Sequence, residues 1–584
     1  KYIIIEMGIF MKLQSKLALL SLTLLFTGCS TNADSSSATA TESTQEATSA
    51  DNTLADNTTV VQELNLVLSD LATLDTNDAR NSNEMQVLSH VQEGLFRVFT
   101  DEDGNDEMVL AGATSYTISD DGLVYTFTLR DHVWSDGVAV TAQHYVDSFI
   151  RLLTPENAFA YAFMAYEVEN ARAFYNGEVD ASEVGVRALD DKTFEITLEA
   201  AIPYFEKKLI NLCFYPVRLD VIEAAGESYL TDFTKHVFNG PFVIESRILQ
   251  NEMVLAKNEL YWDSDNVQLE KVTMTVIEEA ATQSLLLDSG ELDIVVATND
   301  YYDRWNGKDL VKISLVKPSV TYLCFNQHTG GPSELMYNSK IRMALSLSID
   351  RDEYNELINN GLYTPAYGLI PDTIMVDEDN YRELNPEVLQ PILAQYDTDE
   401  KIKALFEEGL KEVFPDKELS DVTLEIFTSS STSQTKFMLE YLQQNWQNKL
   451  GINITTTFYS DTSLFVDART NNQYDLVVMG WNGDYNDPMT FFEIFNTDSG
   501  YAKFMGGYSN EEYDELFDSL AAETDYSVRT QTYIDMEYNL IAQNAGIAPI
   551  SFTNSHYFTQ EYVHNVHITS FGPVIEFSRA YIEE

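Results

Sequence analysis

Apolar and polar residues alternate along several short stretches of the chain, and this pattern predicts half-buried β-strands. VVQELNLVL, starting at Val60, is the first of them. In GLVYTFTLR (residues 122–130) the aromatic side chains and the threonines fall on opposite faces. TFEITL, EMVLAK and KVTMTVI, which begin at residues 193, 252 and 271, continue the pattern. Helical spacing of apolar residues predicts helices over about 83–92 and after Thr141.

In a later section of the chain, stretches with the apolar spacing of a strand alternate with stretches that have the apolar spacing of a helix. The predicted strands are 422–428, 452–458 and 474–480, and the predicted helices between them are 434–449 and 461–470. This β-α-β-α-β order indicates a parallel sheet buried on both faces. Ligands of such sheets bind beyond the carboxyl ends of the strands. SSSTSQ (429–434) and WNGDYND (481–487) lie there, and we expect Gly480 to lead the chain out of the sheet.

The net charge of -58 changes the range of possible partners. With 93 acidic and 35 basic side chains, the chain lacks the basic surface that nucleic-acid binding requires. At 44% hydrophobic residues it still has enough apolar material for cores, so the acidity indicates a solvated surface rather than disorder. The length of 584 residues predicts two to four domains.

The three cysteines are too few for a disulfide framework. Cys213 and Cys324 lie in apolar, strand-like runs and are predicted to be buried free thiols. Cys29 closes MKLQSKLALLSLTLLFTGC, which begins at Met11 and is typical of a secretory signal ending in a bacterial lipobox, with Phe26 as a departure from the usual leucine. We therefore predict a signal peptide over residues 1–28. Residues 29–58 would be a lipidated Cys29 and a flexible tether.

Catalytic motifs are scarce in this sequence. It contains no HExxH, GxSxG, GxxxxGK[ST] or GxGxxG pattern. The acidic run at 101–106 fits a hairpin turn better than a calcium loop, and His564 with His567 lacks a third metal ligand. From their spacing alone, Asp484 and Asp487 in GWNGDYNDPMTFFEIF could be a catalytic pair, half of a cation site, a ligand anchor or turn residues.

A series of longer segments resembles the oligopeptide-binding family of extracellular solute-binding proteins, family 5, which feed peptides to ATP-binding-cassette importers. The segments include LDTND, EGLFRVF, DGLVYTFTLRDHVWSDGVAVTAQHYVDSFIRLLTPENAFAYA, NGPFVIESR, NELYWDSDNVQLEKV, SGELDI, SKIRMALSLSIDRDEYNELINNGLYTPAYGLIP and YDLVVMGWNGDYNDPMTFF. They occur in family order over nearly the whole chain after residue 74. Each segment alone is weak evidence, but the ordered series is specific.

The resemblance implies an α/β fold of the periplasmic-binding-protein class II, with two lobes, an extra domain and a ligand cleft between the lobes. The implied domain I comprises residues 59–92, 219–327 and 545–584. Domain II, the extra domain, would be 93–218, and domain III would be 328–544. The resemblance also implies a non-catalytic monomer without a cofactor or metal.

The same resemblance implies the ligand-binding residues. In the family signature GW-x-x-DY the aspartate grips the peptide α-ammonium, and that position is Asp484 here. Trp481 would wall the pocket, Tyr485 belongs to the same signature, and Tyr161 in AFAYA matches a tyrosine that lines the ligand. Asp487, followed by Pro488, is expected to shape the turn and open a helix.

One position departs from relatives that bind a short ligand of fixed length. They have an arginine three residues before the tryptophan, which takes the peptide carboxylate, whereas this chain has Val478. Lys436 and Arg469 are the remaining candidates for that carboxylate, and a solvated surface role suits each of them equally. We therefore expect the cleft to accept peptides of variable length.

Three functions stay open at the level of sequence. The first is a lipid-anchored receptor on the extracellular face of the cell membrane, or in the periplasm of a Gram-negative host, that delivers oligopeptides to an importer permease. The second keeps the fold but binds a metal chelate, haem or an oligosaccharide. The third is a secreted hydrolase that uses the acid pair. Asp484 discriminates between the first two, because only a peptide requires an ammonium anchor.

Overall fold

The computed structural model describes residues 60–583, except 102–103, 387, 430–432, 460, 500 and 503–504. The predicted signal peptide, Cys29 and the tether lie outside the described residues. Within the described part of the chain, none of the helices combines the length and the apolar character that crossing a membrane requires.

Strands and helices alternate along the chain. The strands are β1 (Glu63–Leu68), β2 (Phe96–Thr100), β3 (Asp106–Leu110), β4 (Ala113–Ile118), β5 (Val124–Leu129), β6 (Val186–Asp190), β7 (Thr193–Thr197), β8 (Phe242–Ile248), β9 (Glu252–Lys257), β10 (Lys271–Val276), β11 (Ile294–Val296), β12 (Val311–Phe325), β13 (Thr364–Pro365), β14 (Met375–Val376), β15 (Asp379–Asn380), β16 (Thr423–Thr428), β17 (Asn453–Phe458), β18 (Leu476–Asn482), β19 (Ile547–Thr559), β20 (Val563–His564), β21 (His567–Ile568), β22 (Ile575–Glu576) and β23 (Tyr581–Ile582). The helices are α1 (Ser82–Val91), α2 (Ala142–Leu153), α3 (Ala171–Tyr175), α4 (Phe205–Lys208), α5 (Leu219–Ala225), α6 (Ala280–Ser289), α7 (Tyr302–Trp305), α8 (Ser339–Leu347), α9 (Arg351–Asn359), α10 (Tyr381–Leu384), α11 (Gln390–Leu393), α12 (Asp399–Val413), α13 (Ser433–Leu450), α14 (Thr462–Thr470), α15 (Met489–Phe492), α16 (Glu511–Ser519) and α17 (Tyr526–Glu537).

The largest sheet contains strands from the N-terminal, middle and C-terminal parts of the chain. Its strand order is β17-β16-β18-β12-β19-β11-β1-β10-β9-β8, with β13 on β19. The long strands β12 and β19 form an antiparallel ladder from the pair Val311 and Thr559 to the pair Cys324 and Ile547. At one end β19 pairs with β11, and at the other β12 pairs with β18. These two crossover strands therefore connect the two halves of the sheet.

The β-α-β-α-β section folds as its pattern predicts, apart from the end of its last strand. β16 pairs in parallel with β17 and with β18, and α13 and α14 follow the first two strands. The expectation that the chain leaves the sheet at Gly480 is wrong. β18 continues to Asn482 because Ser319 and Val320 of β12 pair with Asn482 and Trp481.

A smaller four-stranded antiparallel sheet, in the order β4-β5-β7-β6, packs under α2. The alternation in β5 is confirmed, since Tyr125, Phe127 and Leu129 are buried. The strands on either side of the acidic run, β2 and β3, pair antiparallel, which agrees with the predicted hairpin. Cys213 and Cys324 are buried free thiols, but Cys213 lies in a 3-10 turn rather than in a strand.

Candidate functional site

One edge of β18 is open where the strand passes beyond its parallel neighbour. β16 pairs with β18 only at Leu476 and Val477, whereas β18 runs on to Asn482. No described residue pairs as a strand with 478–482 on that side, and Gly480 and Asn482 are exposed. An unpaired edge presents main-chain N–H and C=O groups to which an extended ligand can add as a strand.

The loop after β18 is fixed by backbone and side-chain hydrogen bonds. The Gly483 N–H donates to the Pro318 carbonyl at 2.7 Å, which continues the contact with β12. Thr490, in α15, holds the two residues of interest. Its hydroxyl accepts from the Asp484 N–H at 2.9 Å, and its carbonyl accepts from the Trp481 indole N–H at 2.8 Å. Trp481 and Asp484 are therefore held in fixed positions beside the open strand edge.

The Asp484 carboxylate is only half satisfied. Its Oδ1 accepts a hydrogen bond of 3.1 Å from the hydroxyl of Tyr161, which precedes the 3-10 turn Ala162–Ala165. Its Oδ2 is inaccessible to solvent and has no hydrogen-bond partner among the described residues, although the residue as a whole is only partly buried. A buried carboxylate oxygen without a donor costs free energy, so this atom is a ready acceptor for an incoming cation.

The charges around Asp484 are predominantly negative. Burial raises the pKa of Asp484 to about 6, while the Tyr161 hydrogen bond and the Lys208 charge act in the opposite direction. Lys208 is fully buried and forms an ion pair of 2.6 Å with Glu167. Burial also raises the pKa of Glu493 to about 8, with Glu167 and Asp484 adding to the shift and Lys208 opposing it. Among the described residues, three acids thus share one lysine, an environment that favours an added ammonium group.

Asp487, three residues later, is fully satisfied. Arg529 donates from Nη2 to its Oδ2 at 2.8 Å, and the Tyr533 hydroxyl donates to its Oδ1 at 2.7 Å. The Met489 N–H donates to Oδ1 at 3.0 Å, at the start of α15. The hydrogen bond from the Met489 N–H supports the prediction that Asp487 opens a helix. The ion pair with Arg529 adds a contact that sequence reasoning missed.

A model of the bacterial extracellular solute-binding proteins, family 5, matches residues 107–503. The chain belongs to this family.

Known relatives agree with this assignment. The dipeptide-binding protein DppE of Bacillus subtilis is 28% identical over 488 residues, which are 83% of this chain and 86% of DppE. The peptide-bound structure of Listeria monocytogenes OppA aligns with a TM-score of 0.76 at 28% identity, covering 90% of this chain and 100% of that one. The substrate-binding domain of a Bacillus anthracis oligopeptide transporter gives 0.76 at 29%, covering 90% and 99%. The fold of this solute-binding protein is therefore the two-lobed α/β class II fold.

The two aromatic residues of the family signature have different surroundings in this solute-binding protein. Trp481 is partly buried and meets the Tyr501 ring edge-on, with centroids 5.3 Å apart. Tyr485 is fully buried, stacks on Tyr204 at 5.4 Å and donates to Glu493 at 3.2 Å. Trp481 can therefore present a wall to a ligand, whereas Tyr485 supports the loop from beneath.

The two cations proposed from sequence are not equivalent either. Lys436 is exposed near the start of α13. Arg469 is half-buried on α14, with its guanidinium 5.3 Å from the Phe465 ring centroid and a hydrogen bond of 3.5 Å from Nη1 to the sulfur of Met479. The structure thus places Arg469 against β18, while Lys436 faces solvent.

Sequence reasoning missed the charged groups that surround Asp484. Lys208 and Glu167 are distant from it in the sequence, and no local pattern marks them. Glu493 could have been noticed, because it is the only acid in the apolar run MTFFEIF (489–495). The described residues contain no group of three or more His, Cys, Asp or Glu side chains that could hold a metal ion.

Proposed function

We propose that this protein binds oligopeptides in the cleft between its lobes, with Asp484 as the anchor for the peptide α-ammonium. The observation that carries the proposal is the buried, unpartnered Oδ2 of Asp484 beside the open edge of β18. An ammonium supplies both the missing donor and a compensating positive charge. The names of DppE and of peptide-bound OppA support peptides as the cargo.

Binding in this mode would depend little on the peptide sequence. The open edge of β18 offers main-chain hydrogen bonds, which every peptide can make whatever its side chains. Trp481 adds an apolar wall close to the anchor, and the Tyr161 hydroxyl donates to the Asp484 carboxylate. These features favour a receptor that selects a free amino terminus and an extended backbone rather than one particular sequence.

We further propose that the protein is a non-catalytic, lipid-anchored receptor on the extracellular face of the membrane. Cys29 in its lipobox-like setting and the polar tether after it support the anchor, and family membership supports the extracellular location. Delivery to an ATP-binding-cassette permease is supported by the oligopeptide transporter to which the Bacillus anthracis domain belongs. The domain division given above is part of this proposal.

Isothermal titration with alanine peptides of three to ten residues tests the cargo. Peptides with a free amino terminus are expected to bind over a range of lengths, and their N-acetylated counterparts are expected to bind at least about tenfold more weakly, because a charge-assisted bond is lost. Equal binding of acetylated and free peptides would remove Asp484 from its role. Catalytic cleavage of a peptide during incubation, abolished in Asp484→Asn, would replace the receptor with a hydrolase.

A further inference from the structure

A pocket with a volume of about 150 Å³ opens next to the loop that follows β18. Its walls come from the β2–β3 hairpin, from α4 and the turn after it, from that loop and from the C-terminal segment. The described residues that line the pocket do not include Asp484, Trp481 or Tyr161. The pocket is therefore distinct from the proposed peptide anchor.

Much of the pocket wall is apolar. The apolar lining residues are Val98, Met108, Ile210 and Phe571. Three of them are buried, and Met108 is half-buried. A closed apolar cavity of about 150 Å³ holds a benzene-sized molecule. Because this pocket is open to solvent on one side, it suits one apolar side chain of the size of leucine, methionine or phenylalanine, with the polar end of the molecule towards the opening.

Two charged residues, Asp106 and Lys207, also line the pocket, and both are only partly buried. The Asp106 carboxylate accepts from the backbone N–H groups of Ser570 at 2.9 Å and of Phe571 at 2.8 Å. Lys207 donates from Nζ to the Asn486 carbonyl at 2.9 Å. One anionic and one cationic group are therefore held in place in the same pocket before any ligand arrives.

Neither of these two charges forms an ion pair within the described part of the chain. Asp106 has hydrogen bonds from backbone N–H groups, Lys207 has one to a backbone carbonyl, and the two do not pair with each other although they line the same pocket. A molecule that carries both an ammonium and a carboxylate group offers each of them a charge-assisted hydrogen bond. An amine or a carboxylate alone offers only one.

We propose that this pocket binds a free α-amino acid with an apolar side chain. The ammonium group of the amino acid donates to Asp106, its carboxylate accepts from Lys207, and its side chain packs on the apolar wall. In a free amino acid both charges are attached to one carbon atom, whereas the terminal charges of an extended tripeptide are up to about 10 Å apart. The pocket therefore suits an amino acid rather than the peptides proposed as cargo, and the inference goes beyond the proposed function.

Isothermal titration of the ligand-free protein with L-leucine tests the site. Leucinol lacks the carboxylate, 4-methylpentanoate lacks the ammonium group and glycine lacks the side chain, and each is expected to bind at least about tenfold more weakly than L-leucine. Lys207→Gln is expected to lose the preference for L-leucine over leucinol, and Asp106→Asn the preference over 4-methylpentanoate. The inference would be overturned if L-leucine did not bind at millimolar concentration, or if it bound no more tightly than both single-charge analogues.

Met108→Trp fills the pocket and leaves both charged residues in place. It is expected to weaken the binding of L-leucine at least about tenfold, because the larger side chain occupies the apolar space. Lys312→Gln is the control, since the Lys312 Nζ donates to the Tyr302 hydroxyl at 3.1 Å and does not line the pocket. Thermal unfolding shows whether each variant is folded, which matters most for Asp106→Asn because Asp106 holds the backbone of Ser570 and Phe571. Unchanged binding of L-leucine to a folded Met108→Trp variant would contradict the inference.

Asp484→Asn distinguishes this pocket from the peptide anchor, which also attracts an ammonium group. The variant is expected to bind L-leucine as wild type does, because Asp484 does not line the pocket. If L-leucine binding were lost in Asp484→Asn but kept in Met108→Trp, the amino acid would occupy the peptide anchor and the inference would fail. If no free-amine peptide bound wild type while L-leucine still did, the proposed function would fail and this site would stand.

Discussion

Asp484 and Asp487 are three residues apart, but their carboxylates differ in the hydrogen-bond and charge partners that the fold provides. Asp487 is fully buried, and its two oxygens accept from Arg529, Tyr533 and the Met489 N–H. The Asp484 carboxylate accepts one hydrogen bond, from Tyr161, and its Oδ2 is buried without a donor among the described residues. The Asp487 carboxylate is therefore satisfied within the fold, whereas the Asp484 carboxylate keeps one oxygen that a ligand could use, as we propose.

The difference shows that two acids of one short loop can have different effects, one on the stability of the fold and the other on the binding of a ligand. A buried acid that has its own arginine contributes to the folded state, and removing either partner leaves an uncompensated charge. A buried acid without a cation weakens the folded state when it is ionised, and this cost is recovered when an ammonium arrives. Asp487 is thus the structural carboxylate of the loop, next to α15, and Asp484, next to β18, is the carboxylate that we propose binds the ligand.

The largest effect is expected from breaking the structural pair. Asp487→Ala leaves the buried Arg529, among the described residues, with the more exposed Asp377, 3.1 Å away, as its one acid partner. We expect the free energy of unfolding to decrease by about 3 to 5 kcal/mol. Urea or thermal unfolding of the ligand-free protein measures the change. A loss below about 1 kcal/mol would contradict the structural assignment of Asp487.

Asp484→Asn is expected to act in the opposite direction on stability and strongly on binding. The amide keeps an oxygen that can accept from Tyr161 but cannot neutralise an ammonium. Affinity for free-amine peptides should decrease by about two orders of magnitude, corresponding to about 3 kcal/mol. The ligand-free variant should be about 1 to 3 kcal/mol more stable at pH 7, because the ionised carboxylate no longer has to be buried.

Titration and unfolding of the same sample check both halves of this prediction. Asp487→Asn is the matched control, since it makes the same chemical change in the other carboxylate of the loop. It should destabilise the protein while leaving the affinity of the remaining folded protein close to that of wild type. An Asp484→Asn variant that binds normally would mean that the unpartnered oxygen has no role in the ligand site.

Local patterns were sufficient for much of the fold. The alternation in β5 and the β-α-β-α-β order of β16 to β18 depend on neighbouring residues, so the sequence predicted them within a few positions. The end of β18 was wrong because its last two residues pair with Ser319 and Val320, more than 150 positions upstream. Such a partner leaves no periodicity in the strand that it extends.

For the candidate site too, some features could be predicted from the sequence, whereas others depend on distant partners. Asp484, Trp481 and Tyr161 came from a resemblance to a family, and the structure places the first two beside the open edge of β18 and Tyr161 on the Asp484 carboxylate. The charge of Lys208, which opposes the raised pKa of Asp484, could not be predicted, because Lys208 and its ion-pair partner Glu167 reach the site only through tertiary packing. The opposite roles of Asp484 and Asp487 depend in the same way on distant partners.

The pH dependence of binding sharpens the contrast between the two acids. Because burial raises the pKa of Asp484 to about 6, the ligand-free site becomes protonated as the pH falls through 6 rather than through the usual value near 4. The peptide amine loses its proton above about 8. Affinity for a free-amine peptide is therefore expected to be highest between about 6 and 8, and to fall about tenfold per pH unit below that window.

The same shift has a consequence for the empty protein. A carboxyl group whose pKa is higher in the folded than in the unfolded state contributes stability at low pH, and this contribution is lost as the pH rises from about 4 to about 6. Asp484→Asn should remove that component from the pH dependence of the unfolding temperature.

Titrations at half-unit pH intervals with a free and an N-acetylated peptide measure the pH range over which the free-amine peptide binds most tightly. The acid limb of this profile is the part in which affinity falls as the pH decreases. An acid limb that begins near pH 4 instead of near pH 6 would contradict the burial of Asp484.

The smallest effect is expected from the hydroxyl that holds Asp484. Tyr161→Phe keeps the ring and removes the donor at 3.1 Å, which stabilises the ionised carboxylate. The acid limb of the binding profile should therefore move above pH 6, with a loss of about 0.5 to 1.5 kcal/mol in the affinity measured near the limb and little change near pH 8. Tyr501→Phe is the control, since the Tyr501 ring contacts Trp481 but its hydroxyl makes no hydrogen bond to Asp484. If both variants shifted the limb equally, the hydrogen bond from Tyr161 would not be what sets the charge of Asp484.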